Sequence, residues 1–209
     1  MTSGDPLVRS SVLSLPRSYT AARDARSALP PVDRSTAPAL PTRLRPADLL
    51  RLTDEGAEDV LAGRYDHLLP TGGQWPVEER WASRLSSDDE VDVWLISWTP
   101  GKSTELHDHA GSLGALTVLS GALAEYRWNG SELRHRTLEA GDQGAFPIGW
   151  VHDVMRAPEA PVADPATEPT LSVHAYSPPL TAMSYYEVTG HGTLRRTRTV
   201  LTDQPEGDM

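Results

Sequence analysis

The stretch Gly114-Ala115-Leu116-Thr117-Val118-Leu119-Ser120-Gly121-Ala122-Leu123-Ala124-Glu125-Tyr126-Arg127-Trp128-Asn129-Gly130 decides the fold. Gly114–Ser120 and Ala122–Trp128 read as two strands about the Ser120-Gly121 turn. Asn129-Gly130 is a strong hairpin signal, because both residues tolerate positive φ. Glu132–Leu138 is then the returning strand, and Gly141-Asp142 turns the chain again. Upstream, Glu90–Trp98 has the period of two expected of a strand. Downstream, Leu171–Tyr176, Met183–Val188 and Leu194–Leu201 continue the series. Many short strands at regular spacing with turn residues between them imply an all-β sandwich or small antiparallel barrel.

The segment before the strands differs. Pro46 suits a first helical turn, and Leu49, Leu50, Leu52, Val60 and Leu61 recur at near-helical spacing before Gly63, so one or two short helices are expected there. Thr71–Pro76 reads as a loop. Residues 1–42, rich in Ser, Pro, Ala and Arg, read as a disordered or extended segment. The expected organisation is therefore this segment, one domain over 43–203 and a short tail over 204–209.

Composition narrows the function. The chain has 209 residues, 29 acidic and 19 basic side chains, a net charge of −10 and no cysteine. An acidic balance argues against a nucleic-acid partner. No apolar stretch is long enough to span a membrane, and no secretory signal is evident, so a cytoplasmic setting is expected. The absence of Cys excludes disulfides, thiolate metal sites and a Cys nucleophile. Any metal must be held by His, Asp or Glu.

Gly101-Lys102-Ser103-Thr104-Glu105-Leu106-His107-Asp108-His109 supplies candidates. On a strand, His107 and His109 share a face, about 7 Å apart at the backbone, and can converge on one cation. Two surface histidines flanking an aspartate would read the same way in isolation. The spacing of Gly101, His107, His109, Gly114 and Gly121 resembles the first cupin motif, and Gly141, Pro147, Gly149 and His152 resemble the second. That resemblance implies a cupin barrel that brings His152 onto the ion held by His107 and His109. Many cupins place a Glu ligand where this chain has Gly114. Three neutral imidazoles would leave a divalent cation its full charge and favour an anionic substrate ligand such as a thiolate.

Four stretches resemble the cysteine dioxygenase family of thiol dioxygenases: His107-Asp108-His109 with Gly111-Ser112, Gly149-Trp150-Val151-His152, Ser172-Val173-His174-Ala175-Tyr176, and Ser177-Pro178-Pro179. The resemblance implies Fe(II) as cofactor, a small thiol and dioxygen as reactants, and a Ser172–His174–Tyr176 hydrogen-bonded relay ending near the iron. Alternation on a strand agrees, since the three residues fall on one face. It also implies a cis Ser177–Pro178 bond. Some animal members cross-link a Cys to the relay Tyr. Here the matching position is Gly114, as is common in bacterial members, so Tyr176 acts as a free phenol.

The family holds the substrate carboxylate with an Arg upstream of the His pair, or with a Gln in members using 3-mercaptopropionate. Arg84 is the expected grip and Arg80 the alternative, since a guanidinium fork makes two parallel bonds to a carboxylate. L-cysteine is the expected substrate; 3-mercaptopropionate, or a non-catalytic metal-binding cupin, are the competing readings. His67, His135 and His191 read as surface residues, and Trp94, Trp98 and Trp150 as core or site-wall residues. Tyr185 and Tyr186 point to opposite faces, so at most one reaches the cavity.

Overall fold

A computed structural model describes residues 42–158 and 164–205. The segment expected to be disordered, residues 1–42, lies outside them except for Thr42, as does most of the tail.

Among the described residues, one helix, α1 (Pro46–Leu61), precedes eleven strands. It is a single 16-residue helix rather than two short ones. The Asp48 carboxylate accepts the Arg45 N–H at its start, and Pro46 occupies the first turn. Gly56 does not break it, because the missing Cβ lets the helix pack against Val173, whose Cγ1 lies 3.0 Å from where a Cβ would be. Leu49, Thr53, Gly56, Ala57 and Val60 form its buried face. Asp66–Leu68 and Thr71–Gly73 are single 3-10 turns within the connecting segment.

The strands are β1 (Trp81–Ser87), β2 (Asp92–Trp98), β3 (His107–Asp108), β4 (Leu113–Ser120), β5 (Ala122–Trp128), β6 (Leu133–Glu139), β7 (Gln143–Phe146), β8 (His152–Arg156), β9 (Thr170–Ser177), β10 (Ala182–Val188) and β11 (Leu194–Leu201). They form a five-stranded sheet, ordered β1-β2-β9-β4-β7, and a six-stranded sheet, ordered β11-β10-β3-β8-β5-β6, with every pairing antiparallel. The fold is the expected all-β arrangement, two antiparallel sheets with a helix ahead of them. Among the described residues, no helix is long and apolar enough to cross a membrane.

Two apolar layers follow from the period of two. On β9, Leu171, Val173 and Ala175 face α1, joined by Val93, Leu95 and Ala115. The alternate residues of the same strands turn inward. Trp94, Ile96, Trp98, Leu116 and Tyr176 meet Leu123, Val154, Met183 and Tyr185 of the other sheet. Strands β2 and β9 are therefore buried on both faces. Inside this second layer the polar side chains of the site are enclosed.

Candidate metal centre and proton relay

His107 lies on β3, His152 opposite it on β8, and His109 just beyond β3. Their exposures are 0%, 4% and 0% for His107, His109 and His152. Ring centroids are 4.9 Å apart for His107–His109, 4.9 Å for His107–His152 and 5.4 Å for His109–His152. Each ring offers one nitrogen within 4.8 Å of the others. The i, i+2 pair and the distant third histidine are thus brought together as expected.

The hydrogen bonds fix which nitrogens face the centre. His107 Nδ1 lies 2.9 Å from the Glu105 carbonyl oxygen, which can only accept, so Nδ1 carries the proton and Nε2 the lone pair. His152 Nδ1 likewise donates to Glu125 Oε1 at 2.8 Å. Buried neutral imidazoles with Nε2 lone pairs form a donor set suited to a borderline cation such as Fe(II) or Zn(II). Next to His109, Asp108 accepts the Ala110 N–H through Oδ1 and the Tyr186 hydroxyl through Oδ2. Those bonds hold the turn in which Ala110 takes a left-handed φ of 50°.

Glu125 was not singled out by the sequence reading. It is 1% exposed, and Arg136, its cross-strand partner on β6, donates through Nε to its second carboxylate oxygen. Burial pushes this carboxyl up, but the bonds from His152 and Arg136 outweigh burial and hold it at about 2. The sequence carries part of the signal. Alternation puts Glu125 on the same face as Leu123, but a turn centred on Asn129-Gly130 would pair it with Arg134; the turn in fact centres on Gly130-Ser131, which sets Glu125 opposite Arg136.

The relay residues Ser172, His174 and Tyr176 project from β9 of the opposite sheet, all 0% exposed. His174 Nε2 lies 2.9 Å from Ser172 Oγ, and His174 Nδ1 lies 3.0 Å from the Tyr176 hydroxyl. A fourth member, Trp98, donates its indole N–H to Ser172 Oγ at 2.7 Å. This end group sets the polarity of the chain. Trp98 can only donate, so the buried Ser172 proton goes to His174 Nε2. His174 then carries its proton on Nδ1 and donates it to the Tyr176 oxygen. The Tyr176 proton is thus directed onward rather than back into the relay. Its ring centroid lies 4.9 Å from that of His109.

Gly114 is a place of close approach. A Cβ there would lie 2.5 Å from Phe146 Cδ2 and 3.4 Å from Tyr176 Cδ1. The Phe146 ring fills the space a side chain would need, and it packs on His109 and His152 with centroids 5.8 and 4.5 Å away. A carboxylate ligand has no room at this position.

The two candidate arginines sit differently. Arg84 is ion-paired with Asp203 at 3.2 Å, and its guanidinium lies 4.5 Å above the Trp94 ring. Arg80 lies 4.9 Å above Trp98, the end of the relay, and donates to the Ser103 carbonyl. His67, His135 and His191 are exposed. Tyr185 faces inward, 6.2 Å from the His107 ring, whereas Tyr186 is held by Asp108. The Ser177–Pro178 bond is cis.

Among solved structures the chain is similar to KdgF from Halomonas sp., with 19% identity over 50% of this chain and 86% of that one, at a TM-score of 0.39. A double-stranded β-helix protein from Klebsiella pneumoniae shares 22% identity over 62% and 90% of the two chains, with a TM-score of 0.38. A cupin superfamily protein from Desulfitobacterium hafniense shares 14% over 52% and 88%, also at 0.38. The family described as cysteine dioxygenase type I matches residues 77–189. That match takes in β1 to β10, all three clustered histidines and the whole relay, more than half of the chain, which therefore belongs to the cysteine dioxygenase type I family.

Proposed function

We propose that the protein is an iron(II)-dependent thiol dioxygenase that oxidises L-cysteine to cysteine sulfinate, adding both atoms of dioxygen to sulfur. The observation that carries this reading is the meeting of three buried imidazoles with an oriented phenol, His109 and Tyr176 being 4.9 Å apart ring to ring. His107, His109 and His152 would hold the iron. When bound, it supplies coordination positions for a thiolate and dioxygen.

The rest of the work belongs to the protein. Phe146, Met183 and Tyr185 exclude water from the cavity, and Ser172 and His174 aim the Tyr176 proton at the reacting groups. We assign the carboxylate grip to Arg80 rather than Arg84. Arg84 would have to leave Asp203 to reach a substrate, whereas Arg80 already packs against the relay through Trp98. A reducing cytoplasm, in which free thiols persist, fits such a substrate.

The test is aerobic oxygen uptake by iron-loaded protein with L-cysteine and with 3-mercaptopropionate, followed by product identification. Cysteine sulfinate formed in proportion to oxygen consumed supports the proposal. Faster turnover of 3-mercaptopropionate would transfer the assignment to that substrate. No uptake with either thiol would leave a metal-binding cupin without this activity.

A further inference from the structure

Gly114 and Glu125 together imply how the centre is electrically balanced. The Phe146 ring denies Gly114 any side chain, with a Cβ contact of 2.5 Å, so no carboxylate reaches the ion from β4. Across the barrel, Glu125 is 1% exposed and accepts the Nδ1 proton of His152 at 2.8 Å. His107, by contrast, donates its Nδ1 proton to a neutral backbone carbonyl. Arg136 binds the other Glu125 oxygen, but its side chain is 42% exposed, so solvent screens the cation more than the enclosed anion.

We propose that Glu125, positioned by Arg136, is the outer carboxylate of the metal centre: it locks the His152 tautomer and lends negative charge to the ion through the ring, replacing the ligand that Gly114 cannot carry. It is a positioning residue and touches neither metal nor substrate. The inference rests on the metal-centre reading above. It also revises the electrostatics expected from three imidazoles alone, because the ion's double charge is partly offset. An electron-rich His152 binds a cation more tightly and favours the oxidised over the reduced ion.

The test compares wild type, Glu125→Gln and Arg136→Gln, measuring anaerobic Co(II) and Fe(II) affinity and the Fe(III)/Fe(II) potential. Gln keeps an oxygen acceptor for Nδ1 but removes the charge. Glu125→Gln should weaken binding about 10- to 100-fold and raise the potential. Arg136→Gln should shift the potential the opposite way. A pair that only braces the β5–β6 hairpin would lower the melting temperature of the metal-free protein and leave the potential unmoved, which overturns the proposal. So would a Glu125→Gln protein with wild-type affinity. If that variant does not fold, an unchanged potential in Arg136→Gln overturns it equally. Wild-type protein that binds neither ion overturns the metal-centre reading and this inference with it, whereas tight wild-type binding that both variants share removes this inference alone.

Discussion

Replacing Ser172 with Ala cuts the relay at its second link. Ser172 Oγ accepts from Trp98 at 2.7 Å and donates to His174 Nε2 at 2.9 Å, with no exposure to solvent. Ala leaves both partners unsatisfied in the core. At about 1–3 kcal/mol for each stranded buried group, the loss is about 2–6 kcal/mol. At roughly 2–4 °C per kcal/mol for a chain of this size, the melting temperature should fall by about 5–20 °C. Adding Trp98→Phe removes the stranded indole donor, so the double variant should be more stable than additivity allows, by about 1–3 kcal/mol. Function should follow the tautomer. Without Ser172, His174 can carry its proton on Nε2 and accept from Tyr176, turning the phenolic proton away from the reacting groups. Oxygen uptake should fall at least about tenfold, and Tyr176→Phe should add little in the Ser172→Ala background. Thermal melts through the Ser172/Trp98 cycle and oxygen-electrode assays through the Ser172/Tyr176 cycle read the two effects. A Ser172→Ala protein within about 2 °C of wild type, or strictly additive losses with Tyr176→Phe, would refute the assigned polarity.

Other substitutions probe the remaining parts. Gly114→Ala forces Phe146 to move and should cost about 1–3 kcal/mol by overpacking, partly restored by Phe146→Leu in denaturant titrations. A divalent metal at 100 times its Kd should stabilise the wild type by about 2.7 kcal/mol, and His152→Ala should lose that shift in calorimetry. Glu125 is held below its ordinary value of 4.5, at about 2, so its contribution to stability is fully present above the ordinary value and lost as pH falls from about 5 towards 2. Acid unfolding of Glu125→Gln should lack that component. Arg80→Gln should raise KM for L-cysteine at least about tenfold while Arg84→Gln leaves it within about twofold; the reverse order in steady-state kinetics would return the carboxylate grip to Arg84.

What was legible in the chain was whatever periodicity carries. The hairpin forms where Asn129-Gly130 marks it, but its turn centres on Gly130-Ser131, one residue later, with Trp128 opposite Leu133 and Gly130 alone of the marked pair at positive φ. His107, His109 and His152 come together, and Ser172, His174 and Tyr176 share the inner face of β9. The short strands β7 and β8 were not anticipated, because four or five residues between Gly and Pro give too little alternation to count. Trp98 was read as packing. Its hydrogen bond to Ser172 depends on the register of β2 against β9, which one strand's sequence does not carry. The role of Gly114 was hidden for a similar reason, since the ring occupying its space comes from β7. Arg84 and Arg80 have the same local signature and differ in what the fold sets beside them, Asp203 for the one and Trp98 with the Ser103 carbonyl for the other.

His107 and His152 belong to one sheet, with His109 just past its strand β3, and the relay belongs to the other. Chemistry at this seam therefore demands that two separately hydrogen-bonded slabs stay docked to within a fraction of an ångström. Warming that lets the slabs slip, with each ladder still intact, should silence turnover several degrees before circular dichroism registers any melting.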